Sequence, residues 1–270
     1  MPNTKKLAVY SPVRKTKRVI GIVVDRLDSP FISTALRGIQ KVVAERGYDI
    51  IITHSQESAD REVANMRLLC DSGTPVIYFG RSGVKTDDAR CGYLATEHLI
   101  RQGCRRIALV TPGLKGGPGV LQYAGYQDAL SRWSPGCSGR LLIMGGPGPE
   151  GGASMAERVV RMDPMPDGLV ITDDRAAVGC VYALAGAGVR VPEDVAVVGF
   201  NNDVAGRMIT PALTTVDYPG FEMGKTAAAI LFDQLAGLRP ARRKSVTVIP
   251  PALIIRHSSL RGRPDVVSWP

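Results

Sequence analysis

Short apolar runs and amphipathic stretches alternate along this chain from Arg18 onward. The runs VIGIVV (19–24), YDIIIT (48–53), PVIYF (75–79), RIALV (106–110), LLIM (141–144), GLVIT (168–172) and VAVVGF (195–200) are nearly continuous. Apolar runs of that length without period-2 alternation predict parallel strands covered on both faces. The stretches between them carry helix punctuation. Ser29 can cap a helix whose first residue is Pro30, Gly47 can end it, and Gly103 ends ATEHLIRQG in the same way. Further helices are predicted at 59–71, 152–161 and 220–236. Regular strand–helix alternation implies an α/β protein with doubly wound parallel sheets and right-handed crossovers.

Two turn-rich clusters, TPGLKGGPG (111–119) and YPG (218–220), divide this pattern. They predict two doubly wound parallel-sheet lobes joined by a multi-crossing hinge, with a ligand cleft between them. The expected boundaries are a basic linker at 1–17, an N-terminal lobe of 18–112 plus 217–250, a C-terminal lobe of 113–216 plus 251–260, and a tail at 261–270. The stretches near 72–73 and 81–91 are short for a lobe of this build.

With 270 residues, 44% of them hydrophobic, the chain can bury a sizeable core. No apolar stretch reaches the roughly 20 residues of a membrane helix. The leading MPNTKKLAVYSPVRKTK lacks the apolar run of a signal peptide, so a cytoplasmic location and no membrane contact are expected. Cys70, Cys91, Cys104, Cys137 and Cys180 form no C-x-x-C pair and are odd in number, which disfavours a disulfide framework. The net charge of +9 is unevenly placed: residues 19–238 carry 21 bases against 24 acids, and the excess lies at the two ends. A nucleic-acid-binding body is therefore disfavoured.

Two loops imitate nucleotide sites. GPGPEG (146–151) matches G-x-G-x-x-G after a strand, with Asp173 placed like a ribose-binding acid. Pro147 and Pro149 remove N–H donors from that loop, however, and Glu150 puts a carboxylate where a pyrophosphate would sit. GFEMGKT (220–226) has three residues between its glycines where a P-loop needs four. His54, His98 and His257 show no metal-ligand spacing, and no catalytic elbow is present, so neither a cofactor, a metal nor an enzyme activity is expected.

DGLVITDDRAAVGCVYALAGAGVRVPEDVAVVGFNNDVAGRMITPALTTVDYP, with SPFISTALRGIQ (29–40), HLIRQGCRRIALVT (98–111), AGYQDAL (124–130) and ALIIRHS (252–258), resembles the effector-binding domain of LacI/GalR-type transcription regulators over residues 18–258. The resemblance implies the periplasmic-binding-protein type I fold, a small-molecule effector between the lobes, and a side-by-side homodimer through helices 59–71 and 220–236. It also implies operator DNA contacted only through an N-terminal helix-turn-helix headpiece absent from this chain, with LAVYSPVRKTK as the remnant of its hinge.

The candidate ligand-binding residues are Phe31, Arg81, Gln122, Asp173 and Asn201. Phe31 offers a face for a ring. Asp173 and Asn201 follow second-lobe strands at their carboxyl ends, where open parallel sheets bind ligands, although both could instead cap the following turns. Gln122 stands where the family usually has Arg, and Asn201 where it often has Asp. Exchange of a cation and an anion for amides favours a neutral sugar, polyol or nucleoside, with Arg81 as a remaining source of charge. The competing expectations are a transport-type sugar-binding protein of the same fold and, third, an NAD-dependent enzyme.

Overall fold

The computed structural model describes residues 18–56, 58–78, 83–114, 117–133, 141–238 and 246–261. The first lobe opens with β1 (Val19–Val24), α1 (Pro30–Glu45), β2 (Asp49–His54), α2 (Ala59–Asp71), β3 (Val76–Tyr78) and β4 (Val84–Thr86). There follow α3 (Asp88–Arg101), β5 (Ile107–Thr111), α4 (Pro118–Trp133), β6 (Leu141–Met144), α5 (Gly148–Val160), β7 (Gly168–Ile171) and α6 (Asp174–Gly186). The chain closes with β8 (Ala196–Phe200), α7 (Val204–Met208), β9 (Thr214–Asp217), α8 (Gly220–Leu235), β10 (Thr247–Ile249), β11 (Ala252–Ile254) and a 3₁₀ turn at His257–Ser259.

Hydrogen bonding sorts these strands into two bodies. One holds the parallel sheet β2-β1-β3 and the parallel pair β10-β4 beside α8; the other is a six-stranded sheet in the order β11-β9-β8-β7-β5-β6. Only β11 in the larger sheet runs antiparallel, against β9. The chain passes between the bodies three times, after β4, between β9 and α8, and between β10 and β11. The first passage lies earlier than the expected boundary at 112: β5 pairs with both β6 and β7, and α3 packs on the larger sheet. The punctuation cluster at 111–119 is the β5–α4 turn of the second body rather than a passage between bodies.

The expected caps form. Ser29 Oγ accepts the Ile32 N–H, Pro30 opens α1, and Gly47 and Gly103 end helices at φ of 71° and 86°. The second body has cores on both faces of its sheet, with Val110, Ile171 and Val197 on one side and Leu109, Val170 and Val198 on the other. In the first body, β1 is buried along its length, while β2 lies at an edge with Ile51 48% and Ile52 39% exposed. The β2 run therefore departs from the expected burial on both faces, since α2 buries only Leu69.

Three helix pairs share one packing device. A Cβ at Gly38 of α1 would lie 2.0 Å from the Phe221 carbonyl oxygen of α8, and one at Gly224 would lie 2.0 Å from that of Ala35. Gly92 and Gly125 do the same for α3 and α4, and Gly152 and Gly179 for α5 and α6. Removal of side chains at both crossing points lets the backbones touch. These contacts absorb the two nucleotide-like loops. Gly151 sits against the Gly146 carbonyl, Gly152 and Gly224 sit against neighbouring helices, and Pro149 and Glu150 lie in the first turn of α5.

Candidate functional site

The carboxyl ends of β1, β5, β7 and β8 face a space between the bodies, bounded by two cavities of about 630 and 650 Å³. Ser29, Phe31, Asn201 and Tyr218 line both cavities, so they form the waist where the two meet. Phe31 comes from the start of α1 in the first body and stands edge-on to Tyr218, with ring centroids 6.0 Å apart and planes at 82°.

Asn201 leaves the end of β8 at a φ of 96°, and Asn202 follows at 52°. Two successive left-handed residues suit asparagine better than most others. They turn the chain sharply beside the waist, and the Asn201 N–H donates to the Val216 carbonyl. Asn202 Oδ1 accepts from Arg207 and Arg256, which ties this turn to α7 and to the end of β11.

Gln122, on α4, is 6% exposed and lines the 650 Å³ cavity. Its amide donates to the Tyr218 hydroxyl at 2.5 Å, and that hydroxyl donates to Asp88 Oδ1 at 2.7 Å. Burial raises the Asp88 pKa, and burial first, then the neighbouring Cys91 and Asp88, pushes the Tyr218 phenol far above its ordinary value. Tyr218 is thus a fixed neutral donor on the passage from β9 to α8. An arginine at 122 would set a cation against this hydroxyl; glutamine completes a chain without one.

Asp173 lines neither cavity. Its Oδ1 accepts the Ala176 N–H at 2.8 Å and the Gly148 N–H at 3.4 Å, which caps α6 and holds the start of α5. The structure thus gives Asp173 the capping position and brings Phe31, Gln122 and Asn201 together. Arg81 lies outside the described residues.

The 630 Å³ cavity adds residues that the sequence reading left out: the Arg175–Asp203 ion pair at 3.1 Å, Arg37, Arg207 and Asp217. Tyr218 was also missed there; its signal was an aromatic within the YPG punctuation, where the chain changes bodies. Behind the wall, Asp174 accepts from the Asp203 N–H at 2.7 Å and the Thr215 hydroxyl at 2.8 Å, and burial pushes its carboxyl up to about 7. Gly199 is required there, because a Cβ would come within 2.1 Å of Asp174 Oδ1. Among the described residues no His, Cys, Asp and Glu cluster suits a metal.

Two bodies joined by three chain passages, with a cleft at their strand ends walled by hydrogen-bonding side chains, define a two-lobed ligand-clamping α/β protein. The chain belongs to the periplasmic binding protein-like domain family, which its residues 96–259 match. Its relatives are LacI-type regulators. It is 23% identical to the HTH-type transcriptional repressor PurR of Histophilus somni, over 90% of this chain and 82% of that protein. A LacI family transcriptional regulator from Enterococcus faecium, solved with bound ribose, superposes with a TM-score of 0.76 at 26% identity, covering 91% of this chain and all of that one. The transcriptional regulator CelR–cellobiose complex superposes at 0.77 and 25% identity, covering 92% and 86%. These relatives are regulators rather than enzymes, and the chain stands with them, not with dehydrogenases.

Proposed function

We propose that this chain is the effector-binding and dimerisation domain of a LacI-type transcription regulator. A small neutral ligand of the sugar, polyol or nucleoside class enters between the lobes and thereby sets operator binding by a helix-turn-helix headpiece. One observation carries the reading: the cleft wall presents the hydrogen-bonded chain Gln122–Tyr218–Asp88, in which no cation takes part, beside Phe31 and Asn201, at the point where the polypeptide changes lobes. A ligand held there touches both lobes and a connecting strand at once. That is the condition for differential affinity between two lobe arrangements, and so for reciprocal coupling to DNA. Relatives solved with ribose and cellobiose support the sugar class. Their naming as regulators supports a cytoplasmic location. Exposed apolar side chains on β2 and α2, among them Ile51, Val63 and Leu68, support a homodimer surface there.

A thermal-shift screen over monosaccharides, disaccharides, polyols and nucleosides tests the proposal. At least one neutral compound should raise the melting temperature with a concentration dependence that saturates. A response confined to NAD, ATP or sugar phosphates would overturn it.

A further inference from the structure

Three hydrogen-bonding groups meet where the chain returns from β9 to α8, and chemistry fixes which of them donates. Asp88 is the first residue of α3, where the helix N-terminus favours a carboxylate. Burial raises its pKa and the Tyr218 hydroxyl lowers it, with smaller opposing pulls from Asp87 and Lys85. As a carboxylate it can only accept. The Tyr218 phenol, held far above its ordinary value chiefly by burial, keeps its single proton. At 2.7 Å from Asp88 Oδ1, the hydroxyl gives that proton to Asp88. The Cys91 thiol also lies at the hydroxyl, but burial pushes it up to about 12, so it stays S–H and is the weaker partner.

The hydroxyl oxygen is left to accept, and the Gln122 amide lies 2.5 Å from it. Only the NH₂ end of that amide can donate. With the amide reversed, two oxygens would face a hydroxyl that holds one proton, and one contact would be a bare O···O repulsion. The carbonyl oxygen Oε1 therefore points away from Tyr218. It takes no hydrogen bond among the described residues, where the buried side-chain atom left without a partner is Arg106 Nε. Oε1 is thus open rather than buried, and Gln122 lines the 650 Å³ cavity.

We propose that Asp88 is a positioning residue of the cleft. Acting through Tyr218, it pins the Gln122 amide with its carbonyl oxygen toward the cavity, so that this point of the wall accepts a hydrogen bond and selects a ligand group able to donate one. A hydroxyl or an amine satisfies it, whereas an ether, a carbonyl or a fluorine there sets two acceptors face to face. The proposal rests on the cleft reading above and concerns specificity within it.

Proton NMR of isotope-labelled protein reads the amide without any ligand, the Gln122 side-chain pair being identified by its loss in Gln122→Met. In the wild type at neutral pH, one of these protons should lie downfield of its partner and show a cross-peak to a slowly exchanging Tyr218 hydroxyl proton. Asp88→Leu removes the acceptor at similar volume, so the hydroxyl proton should turn to Oε1, the amide should reverse, and the downfield amide proton should be lost. Titration calorimetry of D-ribose, D-glucose and D-galactose against their monodeoxyfluoro derivatives reads the consequence, since fluorine cannot donate. At least one derivative should bind the wild type about fivefold or more weakly than its parent, and that gap should narrow to about twofold or less in Asp88→Leu. A wild-type spectrum with neither Gln122 amide proton held on Tyr218 would overturn the positioning role, whether or not the variant folds. So would a folded Asp88→Leu protein in which every gap persists. Binding by none of the three parent sugars would overturn the sugar form of the cleft reading, and the spectrum would still decide the orientation of the amide.

Discussion

Asn201 and Asp173 follow neighbouring strands of the larger sheet, yet their side chains occupy different places. Asn201 lines both cavities, so Asn201→Ala should weaken ligand binding by about 1–3 kcal/mol, the loss expected of a removed hydrogen-bond partner, and should also cost about 1 kcal/mol of stability because alanine strains the left-handed backbone at φ 96°. Asp173 caps α6, so Asp173→Ala should cost about 1 kcal/mol of stability but leave affinity nearly intact. Calorimetric titration and urea unfolding of the two variants would separate these outcomes. Two buried groups give opposite pH dependences. Asp174 is raised by burial to about 7 from 3.8, so the stability it contributes is full below 3.8 and lost as pH rises through 7. His98, hydrogen-bonded to Ser259 Oγ, is lowered by burial to about 4 from 6.5, so its contribution is full above 6.5 and lost as pH falls through 4. Asp174→Asn should therefore steepen the loss of stability on acidification from pH 7.5 to 4.5, and His98→Gln should flatten it, each by at most about 3 kcal/mol. Variants whose urea midpoints follow the wild-type pH slope would contradict this. Within the site, residue type was the legible part. An amide after G-F and an aromatic at a helix start could be picked out from sequence alone. The pairing of Gln122 with Tyr218 spans 96 residues of separation and has no local signal.

At the scale of elements, the paired glycines carry the fold's tightest constraint. Gly125→Ala would drive a methyl to 1.8 Å from the Ala89 carbonyl oxygen, and Gly38→Ala would meet that of Phe221 at 2.0 Å. Each should cost at least about 2 kcal/mol, since backbone cannot retreat as a side chain would. Gly186→Ala, on the α6 surface with nothing within 4 Å, should be neutral or slightly stabilising. Thermal unfolding of the three variants checks the contrast, and equal melting temperatures would refute it. The seven apolar runs were legible as strands because parallel strands under helices leave a continuous apolar signature. The short strands β4, β10 and β11 were not: β3 is equally short but sits in the apolar run PVIYF, whereas β4 and β10 lie in mixed sequence and β11 in proline-flanked sequence. The exposure of β2 was hidden for a different reason: a run at a sheet edge reads the same as one at its centre. The first passage between bodies was placed late because glycine and proline mark a tight strand–helix turn and an interlobe crossing alike.

For the whole molecule, the three passages make the cleft and its connecting strands one mechanical unit. The exposed apolar side chains of β2 and α2 predict a dimer, and sedimentation at tens of micromolar should show one; a monomer at that concentration would remove the dimerisation part of the proposal. The central claim concerns the cleft itself. Its most direct test is titration calorimetry of the neutral compound that stabilises the protein most, run against wild type, Asn201→Ala and Tyr218→Phe. The account predicts one site per chain in the wild type and at least about tenfold weaker binding in both variants, each measured at a temperature on the folded baseline of its own cooperative unfolding. Wild-type affinity in both variants would show that the ligand sits elsewhere and would contradict the account.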